Sequence, residues 1–565
     1  MRASFFVKSY LMRMIHWWGL CLCGLLIAGT YGPFYASPAV FDDHSIITNL
    51  TAYDYAQQPF SLTTRNFPYF SIGFFQVLSG GDLAWNRWCN IALFGLVIVA
   101  LYFFLLRVLS RFAPKDSQEL RWAALCVCLW FALNPVAVYA VAYLVERTIV
   151  MATLFSILAV NLYLRAQQQE RNADLLSAAL FGGLAMMCKE HAVLLPVAAL
   201  ALTPLVRDWG GKVALRAGVF LLLLAPICYW TISHRAGVVG TNYEVYAGEA
   251  IAQMALPSIF DFSGGIWAMS IATQLGLFLK YFFLWVFPSP AFLSADIRID
   301  FPALWSGVWG VIGALLMLVA GLAALVVTFR KKATPAIRLS AAAFLYAAIL
   351  YIVELSVVRI QEPFVLYRSF LWAPAYALLV GGLLLSCSRW LRVRSRAGWL
   401  TFCIAVPLAC LALIPWTQDR LQTFSSEEAL WQDALRKLPS PNVAGADRIY
   451  YNLAGEAYKA KRYSQALEFS ERVIARNPRA FQGYLAKGTS LLALSDMDGA
   501  SRALDQATAC QPQPKYLAYI EFKRCIVLEA KGDTAAIPAC LRRSAAMGYT
   551  RAGIQLQMMG LSTTE

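Results

Sequence analysis

Charged side chains are scarce in this sequence of 565 residues: Asp, Glu, Lys and Arg make up 14% of it, whereas 59% of the residues are hydrophobic. No glycine-rich nucleotide-binding loop is evident, and no small-residue cleavage site follows the basic and then apolar N-terminal stretch. We therefore expect an uncleaved membrane anchor rather than a signal peptide. The formal net charge of +15 does not indicate nucleic-acid binding, because the basic residues gather in short loops between apolar stretches rather than on one face of a soluble domain.

Long apolar stretches dominate the first 416 residues. Each is about 17 to 25 residues long, which is enough for a helix to cross the hydrocarbon core of a bilayer. The sequence therefore predicts an all-α, polytopic membrane domain over residues 1–420. The eleven predicted spans are 15–36, 90–110, 122–143, 148–165, 174–188, 191–206, 214–233, 305–328, 339–357, 369–387 and 398–416.

The basic residues predict the orientation of these spans. Lys and Arg accumulate in alternate loops, which are expected to be cytoplasmic. Segment 266–290 is apolar but carries Lys280, and if it crossed the membrane the basic loop 330–338 would face outward, so we expect it to lie in the interface or to re-enter. For a bacterial inner membrane this map places the N-terminus in the cytoplasm. It places four parts on the periplasmic side: the first outer loop 37–89, the turns at Glu146-Arg147 and Lys189-Glu190-His191, the second outer region 234–304 and the tail 425–565.

The tail is polar and contains a repeat. Residues recur in it at a spacing of 34, which is the period of tetratricopeptide repeats, whose paired antiparallel helices stack into an α-solenoid. Two or three repeats would form a concave docking surface, while a rigid lid or an oligomerisation element is equally compatible. The recurring pairs are Tyr450 and Tyr484, Ala454 and Gly488, Ala466 and Ala500, and Pro478 and Pro512.

Cysteines are concentrated in the membrane domain, where ten of the thirteen lie in or beside predicted spans and are expected to behave as small apolar residues. In the tail, Cys525 and Cys540 flank a predicted turn at 531–533 almost symmetrically. Antiparallel helices would bring their side chains together, and an outward-facing bacterial domain lies in an oxidising compartment. The sequence therefore predicts a disulfide between Cys525 and Cys540.

An acidic pair, Asp42 and Asp43, follows the first predicted span directly. Carboxylates are costly beside a bilayer, so a pair there suggests a function. Partial desolvation would raise the pKa of a carboxyl group and let it act as a general base towards a hydroxyl. Neighbouring side chains diverge, so only one of the two need face a substrate. The pair could instead cap the next helix, through Asp43 or Ser45.

The turn Lys189-Glu190-His191 joins two predicted spans at the outer face. Lys189 could contact a lipid phosphate as a point charge, while Glu190 and His191 could orient it or hold a divalent metal ion. A polar turn at the membrane surface, without a ligand, is the alternative.

Several arginines are predicted at outer ends of spans. A guanidinium group binds phosphate through two parallel hydrogen bonds, so a phosphorylated lipid headgroup is a natural ligand. Each arginine alone could equally be an interface anchor. The four are Arg147, Arg235, Arg359 and Arg368.

Five features together resemble the GT-C fold glycosyltransferases, and in layout the transmembrane tetratricopeptide O-mannosyltransferases and the bacterial pilin glycosyltransferases. They are the acidic pair opening a long first outer loop, the hairpin Val145-Glu146-Arg147-Thr148, the turn Lys189-Glu190-His191, the stretch from Phe287 to Asp296, and the repeat tail. The likeness covers nearly the whole chain in architecture, through motifs that are short.

The resemblance implies transfer of a sugar from a polyprenyl phosphate to a Ser or Thr hydroxyl of an acceptor protein, such as a pilin, docked through the tail. It implies that Asp42 or Asp43 is the catalytic base. Arg147, Lys189 and Arg368 would hold the lipid phosphate, together with Arg235 or Arg359. An Asp-Asp pair replaces the Asp-Glu pair common in several branches, which leaves open which member takes the proton.

Other classes of function remain open from the sequence. A flippase or transporter of lipid-linked sugars would also have many spans, but its ionisable residues would be expected mid-span, whereas here they concentrate at outer ends. A non-catalytic scaffold would not require eleven spans. An oligosaccharide ligase or polymerase using a lipid diphosphate is the nearest rival among enzymes.

Overall fold

The computed structural model describes residues 2–48, 51–58, 61, 63–113, 117–242, 261–299, 308–330, 332–360 and 362–562. Parts of both predicted outer regions, at 49–50, 59–60, 62, 243–260 and 300–304, lie outside the described residues. The chain divides into two compact units, Met1–Ser426 and Glu427–Glu565, and the division falls beside the predicted boundary at 420–425. The described residues are helical, with one isolated antiparallel bridge between Ile297 and Phe364.

Sixteen α-helices are described in the first unit, and short 3-10 turns connect several of them. They are α1 (Arg2–Tyr31), α2 (Thr51–Ala56), α3 (Asn66–Leu78), α4 (Leu83–Leu109), α5 (Gln118–Ala132), α6 (Val138–Val141), α7 (Arg147–Gln169), α8 (Asn172–Cys188), α9 (Leu195–Leu202), α10 (Gly211–Arg235), α11 (Gly265–Val286), α12 (Val308–Phe329), α13 (Pro335–Leu355), α14 (Ala373–Arg394), α15 (Arg396–Leu411) and α16 (Ile414–Thr423).

The number of helices that could cross a membrane differs from the predicted eleven. Among the described residues nine are long and apolar enough, or ten if the bent pair α5 and α6 counts as one span. That pair bends by 50°, next to Pro135, which has no N–H to continue a helix. Helix α8, with 17 residues, is about 26 Å long and so shorter than a hydrocarbon core of about 30 Å. The apolar helical stretch Glu190–Leu205 is also too short.

Helix α11 covers the segment predicted to re-enter. Near its beginning the indole Nε1 of Trp267 donates to Leu355 O at 2.8 Å, and near its end the indole Nε1 of Trp285 donates to Ser369 Oγ at 2.9 Å. Leu355 is the last residue of α13 and Ser369 lies in the connection between α13 and α14, so this connection runs alongside α11. The chain then returns to that connection at the Ile297 bridge. Helix α11 is long and apolar enough to be one of the nine candidate spans, and its re-entry stays a prediction.

The loops predicted to be cytoplasmic meet at one end of the helical bundle. Ion pairs connect them, and each pair joins a residue of one basic loop to a carboxylate of another. The sequence pattern thus corresponds to a spatial arrangement, and the assignment of this end to the cytoplasm stays a prediction. The pairs are Arg111 with Asp208, Arg338 with Asp208, Arg207 with Glu170, Arg216 with Glu170, and Arg392 with Glu119.

The second unit is a row of eight described helices, in which each packs against the next in sequence. Small residues allow the close approach: Ala466 and Ala500 are fully buried, and a Cβ added to Gly488 would lie 3.1 Å from Leu504. The tetratricopeptide class itself stays a prediction. The helices are α17 (Glu427–Arg436), α18 (Ala446–Lys459), α19 (Tyr463–Arg476), α20 (Phe481–Ala493), α21 (Met497–Ala509), α22 (Pro514–Ala530), α23 (Ile537–Ala546) and α24 (Thr550–Met558).

Cys525 and Cys540, the pair predicted from the sequence, form a disulfide between α22 and α23. Their Cα atoms are 5.6 Å apart, within the range for such a bond. The bridge is buried in a small apolar cluster with Leu541 and Leu556. It therefore fastens the last helices of the tail, where the apolar core is small.

Candidate functional site

A cavity of about 790 Å³ opens where several helices of the first unit end. Its lining comes from the residues after α1, α8, α10 and α13 and from those before α7 and α14. The loops that line it are the ones predicted to share the outer side. Seven of the nine residues predicted for catalysis, phosphate binding or metal binding line it: Asp42, Lys189, Glu190, His191, Arg235, Arg359 and Arg368.

The two members of the acidic pair have different environments. Asp42 is exposed and lines the cavity, while its backbone N–H donates to Tyr143 Oη at 3.0 Å. Asp43 is fully buried, and its carboxylate accepts hydrogen bonds from the N–H groups of Val40 at 3.2 Å and Val145 at 2.9 Å. Burial raises the pKa of Asp43 to about 7, against the lowering effect of those hydrogen bonds and of nearby Arg87. Of the two, Asp42 is therefore the candidate base, and Asp43 is structural.

Arg147 does not occupy the position predicted for it. Its guanidinium is fully buried in the bundle, where it donates to the side chains of Asn90, Ser71 and Asn86 at 2.6, 3.1 and 2.8 Å. A buried cation held by these neutral acceptors organises the ends of α3, α4 and α7. The assignment of Arg147 to phosphate binding is therefore corrected to a structural role.

Lys189 lines the cavity, but its ammonium group already has partners. Its Nζ lies 3.0 Å from Glu146 Oε2 and 3.3 Å from Thr148 Oγ1, and the side chains of Lys189 and Glu146 are 4% and 6% exposed. Burial lowers the pKa of Lys189, and the attraction of Glu146 opposes that shift. The lysine thus stabilises the start of α7, and phosphate binding by Lys189 stays a prediction.

Glu354, which the sequence analysis did not single out, is the centre of a cationic cluster behind the cavity wall. It is 1% exposed, and its carboxylate oxygens lie 2.8 Å from His191 Nε2, 3.0 Å from Arg368 Nη1 and 3.3 Å from Arg359 Nη2. Two guanidinium groups and one imidazole thus contact this single carboxylate beside the cavity. The available signal was an acid inside the predicted span 339–357, since intramembrane ionisable residues are usually functional.

Arg65 is the second residue missed from the sequence. It forms two hydrogen bonds to the carboxylate of Glu190, and its backbone N–H donates to Met187 O at 2.7 Å. Burial alone would raise the pKa of Glu190, but Arg65 holds it well below its ordinary value. Arg65 also adopts a left-handed backbone with φ of 66°, which is uncommon for a residue with a side chain. The first outer loop is therefore fastened to the turn 187–190.

The cavity has a chemically distinct apolar side. Ile232 on α10 and Ile352 on α13 both line it, and they are 52% and 48% exposed. Val193 and Leu194, on the turn before α9, line it as well. Arg235, at the end of α10, is exposed and donates to Thr64 Oγ1 at 3.3 Å. One cavity thus combines a carboxylate, guanidinium groups and an apolar wall.

The residues predicted for a divalent ion have other partners. Glu190 binds Arg65, His191 contacts Glu354, and Oε1 of Glu190 lies 4.0 Å from Nδ1 of His191. In the part of the chain that the structure describes, no group of three or more His, Cys, Asp and Glu side chains is arranged to hold a metal ion. Glu190 and His191 are thus partners of Arg65 and Glu354, and metal binding by them stays a prediction.

Comparison of the chain with protein-family models gives no match, and comparison with curated proteins gives none either.

Proposed function

We propose that this protein is a membrane glycosyltransferase that moves a sugar from a polyprenyl-phosphate carrier to a Ser or Thr hydroxyl of an acceptor protein on the periplasmic face. One observation carries the proposal: the cavity joins the exposed carboxylate of Asp42 to the Arg359 and Arg368 pair and to an apolar wall. These are the three chemical requirements of such a reaction, namely a base, a phosphate site and a lipid path.

We assign the binding of the donor's phosphate group to Arg359, Arg368 and Arg235. A phosphate would accept hydrogen bonds from the guanidinium groups of Arg359 and Arg368, which line the cavity together with Arg235. The donor's hydrocarbon chain would lie against the apolar side formed by Ile232 and Ile352. A cavity of about 790 Å³ falls within the usual size range of ligand sites.

In the proposed reaction the acceptor hydroxyl attacks the anomeric carbon of the sugar. Asp42 takes the hydroxyl proton as the new carbon–oxygen bond forms. The bond from the anomeric carbon to the phosphate oxygen breaks, and its electron pair leaves with the phosphate. Arg359 and Arg368 stabilise the charge that develops there.

We assign the docking of the acceptor protein to the tail, and the family resemblance suggests a pilin as that acceptor. In this proposal Glu190 and His191 orient Arg65 and the Glu354 cluster. A divalent ion at Glu190 and His191 remains the alternative, and it predicts that transfer is lost in EDTA and restored by Mg²⁺ or Mn²⁺.

The test is mass spectrometry of periplasmic and surface proteins from cells with and without the gene. The proposal expects one glycan mass to disappear from Ser or Thr sites in the deletion and to return with the wild-type gene. Thin-layer analysis of the released lipid then separates a monophosphate from a diphosphate carrier. An unchanged protein glycan profile in the deletion contradicts the proposal.

A further inference from the structure

Two buried ionisable side chains, one basic and one acidic, lie beside the cavity, and both Arg87 and Asp43 bond to the backbone. Arg87 is on the first turns of α4 and is 5% exposed, while Asp43 is 0% exposed. Neither lines the cavity. Buried charges are retained only where their hydrogen bonds are satisfied, so their partners indicate what they hold in place.

Arg87 binds carbonyl groups of two chain segments. Its Nε donates to Ser37 O at 2.9 Å, and its Nη2 donates to Pro38 O in the segment before the acidic pair. Its Nη1 donates to Ala142 O at 2.7 Å, in the turn between α6 and α7. One planar guanidinium group therefore connects the segment 37–43 to the segment 142–146.

Asp43 makes the complementary connection between the same two segments. Its Oδ2 accepts from Val40 N in its own segment, and its Oδ1 accepts from Val145 N in the other. The phenol of Tyr143 adds a third link by accepting the N–H of Asp42. Arg87 thus holds carbonyl groups and Asp43 holds amide groups of one pair of segments. We call these three side chains, Arg87, Asp43 and Tyr143, the backbone clasp.

The backbone clasp holds a strained conformation next to the candidate base. Phe41, which precedes Asp42, has φ of 49°, in the left-handed region that bulky residues rarely adopt. Such a conformation persists only where the surroundings fix it, and it occurs often at functional sites. Asp42 and Glu146, one in each clasped segment, both line the cavity.

We propose that Arg87 and Asp43 are positioning residues, which fix the carboxylate of Asp42 relative to Glu146 and the phosphate-binding arginines by clasping segment 37–43 to segment 142–146. This inference rests on the proposed function. In this proposal two buried side chains outside the cavity, Arg87 and Asp43, control the rate of transfer without contacting the donor.

The experiment compares Arg87→Lys, Asp43→Asn and Tyr143→Phe with the wild-type protein in lipid nanodiscs. Lysine cannot reach all three carbonyl groups, asparagine cannot accept at both oxygens, and phenylalanine removes only the acceptor for Asp42 N–H. Arg107→Lys is the matched control, because Arg107 lies at the other end of α4 and also binds neighbouring polar groups, Asn161 and Gln168. Tyr143→Phe serves as the mild variant if either charged variant fails to fold.

Two readouts are measured on each variant. Hydrogen exchange of the 37–46 and 141–147 peptides is expected to accelerate in both segments together for each clasp variant. With lipid extract as the donor source, kcat is expected to fall by about tenfold to a hundredfold while the donor KM stays within about twofold, since a small displacement of a catalytic group has effects of this size. Arg107→Lys is expected to change neither readout.

The outcomes separate the clasp from the proposed function. Faster exchange in one segment only, or in neither, overturns the clasp whether or not the protein transfers a sugar. Coupled exchange with an unchanged kcat, or with KM rising as much as kcat falls, overturns the positioning role. If exchange accelerates in both segments of the clasp variants but the wild-type protein transfers no sugar, the proposed function is rejected and the clasp is retained as a structural device.

Discussion

Arg368 Nη1 lies 3.0 Å from Glu354 Oε2, and the same oxygen is 3.3 Å from Arg359 Nη2. The two arginines come from the connection between α13 and α14, and the carboxylate comes from the last turn of α13. A buried acid thus contacts two arginines that line the cavity and fixes their positions. This relationship explains how two guanidinium groups are held beside an apolar wall.

Arg368→Lys tests the assignment of the phosphate. Lysine keeps the charge but loses the planar fork that can bind a carboxylate and a phosphate together. We expect the donor KM to rise by about tenfold, which corresponds to about 1.4 kcal/mol. Steady-state kinetics with a lipid donor measure this change, and Arg392→Lys, at the opposite end of the bundle, is the control. An unchanged KM in Arg368→Lys argues against phosphate binding there.

The pairing of Lys189 with Glu146 is tested by a double-mutant cycle. Lys189→Met and Glu146→Gln each leave one buried partner uncompensated, and we expect each to cost about 3 kcal/mol. The double variant removes both charges and is expected to recover a large part of that loss. Unfolding in detergent micelles gives the free energies. If the losses in unfolding free energy of the two single variants add up in the double variant, the pair is not coupled. That result would favour phosphate binding by Lys189.

The pKa of Asp43 predicts a pH dependence of stability. Because the folded protein raises this pKa from 3.8 to about 7, the folded state binds the proton more tightly than the unfolded state. Its contribution to stability is therefore complete below about pH 4 and is lost as the pH rises to about 7. Relative to Asp43→Asn, the wild-type protein is expected to lose about 2 kcal/mol between pH 5 and pH 7. Parallel unfolding curves for the two proteins across this range would contradict the shift.

The disulfide predicts a redox dependence confined to the tail. The bridge closes a loop with a sequence separation of 15, for which the chain-entropy model gives about 3 kcal/mol. Cys540→Ser is therefore expected to lower the unfolding temperature of the tail, followed by tyrosine fluorescence or hydrogen exchange of α22 to α24. Cys510→Ser is the control, because Cys510 is not in a disulfide. Equal stability of the two variants would show that the bridge adds little.

The sequence predicted the helical class, the acidic loop and the Cys525–Cys540 pair, since each depends on local hydrophobicity or spacing. It could not divide the roles of Asp42 and Asp43, because their burial depends on Val145, about a hundred residues away. It missed Arg65 and Glu354 for a related reason. Their partners, Glu190 and His191, are distant in the sequence, and only the fold places them together.

Contacts with distant segments also explain why two residues predicted to bind phosphate, Lys189 and Arg147, have structural partners. Lys189 and Arg147 have the chemistry of phosphate ligands, but each is buried against a partner from another segment. The sequence shows which residues can bind a phosphate, but it does not show which of them already pair with another side chain. Among the described residues fewer helices than the eleven predicted spans are long and apolar enough to cross, since helices such as α8 are too short, and the span count stays a prediction.

The central claim is that Asp42 is the base, and Asp42→Asn tests it most directly because the amide keeps the shape and removes the proton acceptor. Transfer to the native acceptor is measured in membranes carrying equal amounts of the wild-type protein, Asp42→Asn and the control Asp54→Asn, whose exposed side chain belongs to the same outer loop. We expect kcat to fall at least about a hundredfold in Asp42→Asn and to stay unchanged in Asp54→Asn. Transfer by Asp42→Asn within about twofold of the wild-type rate would contradict it.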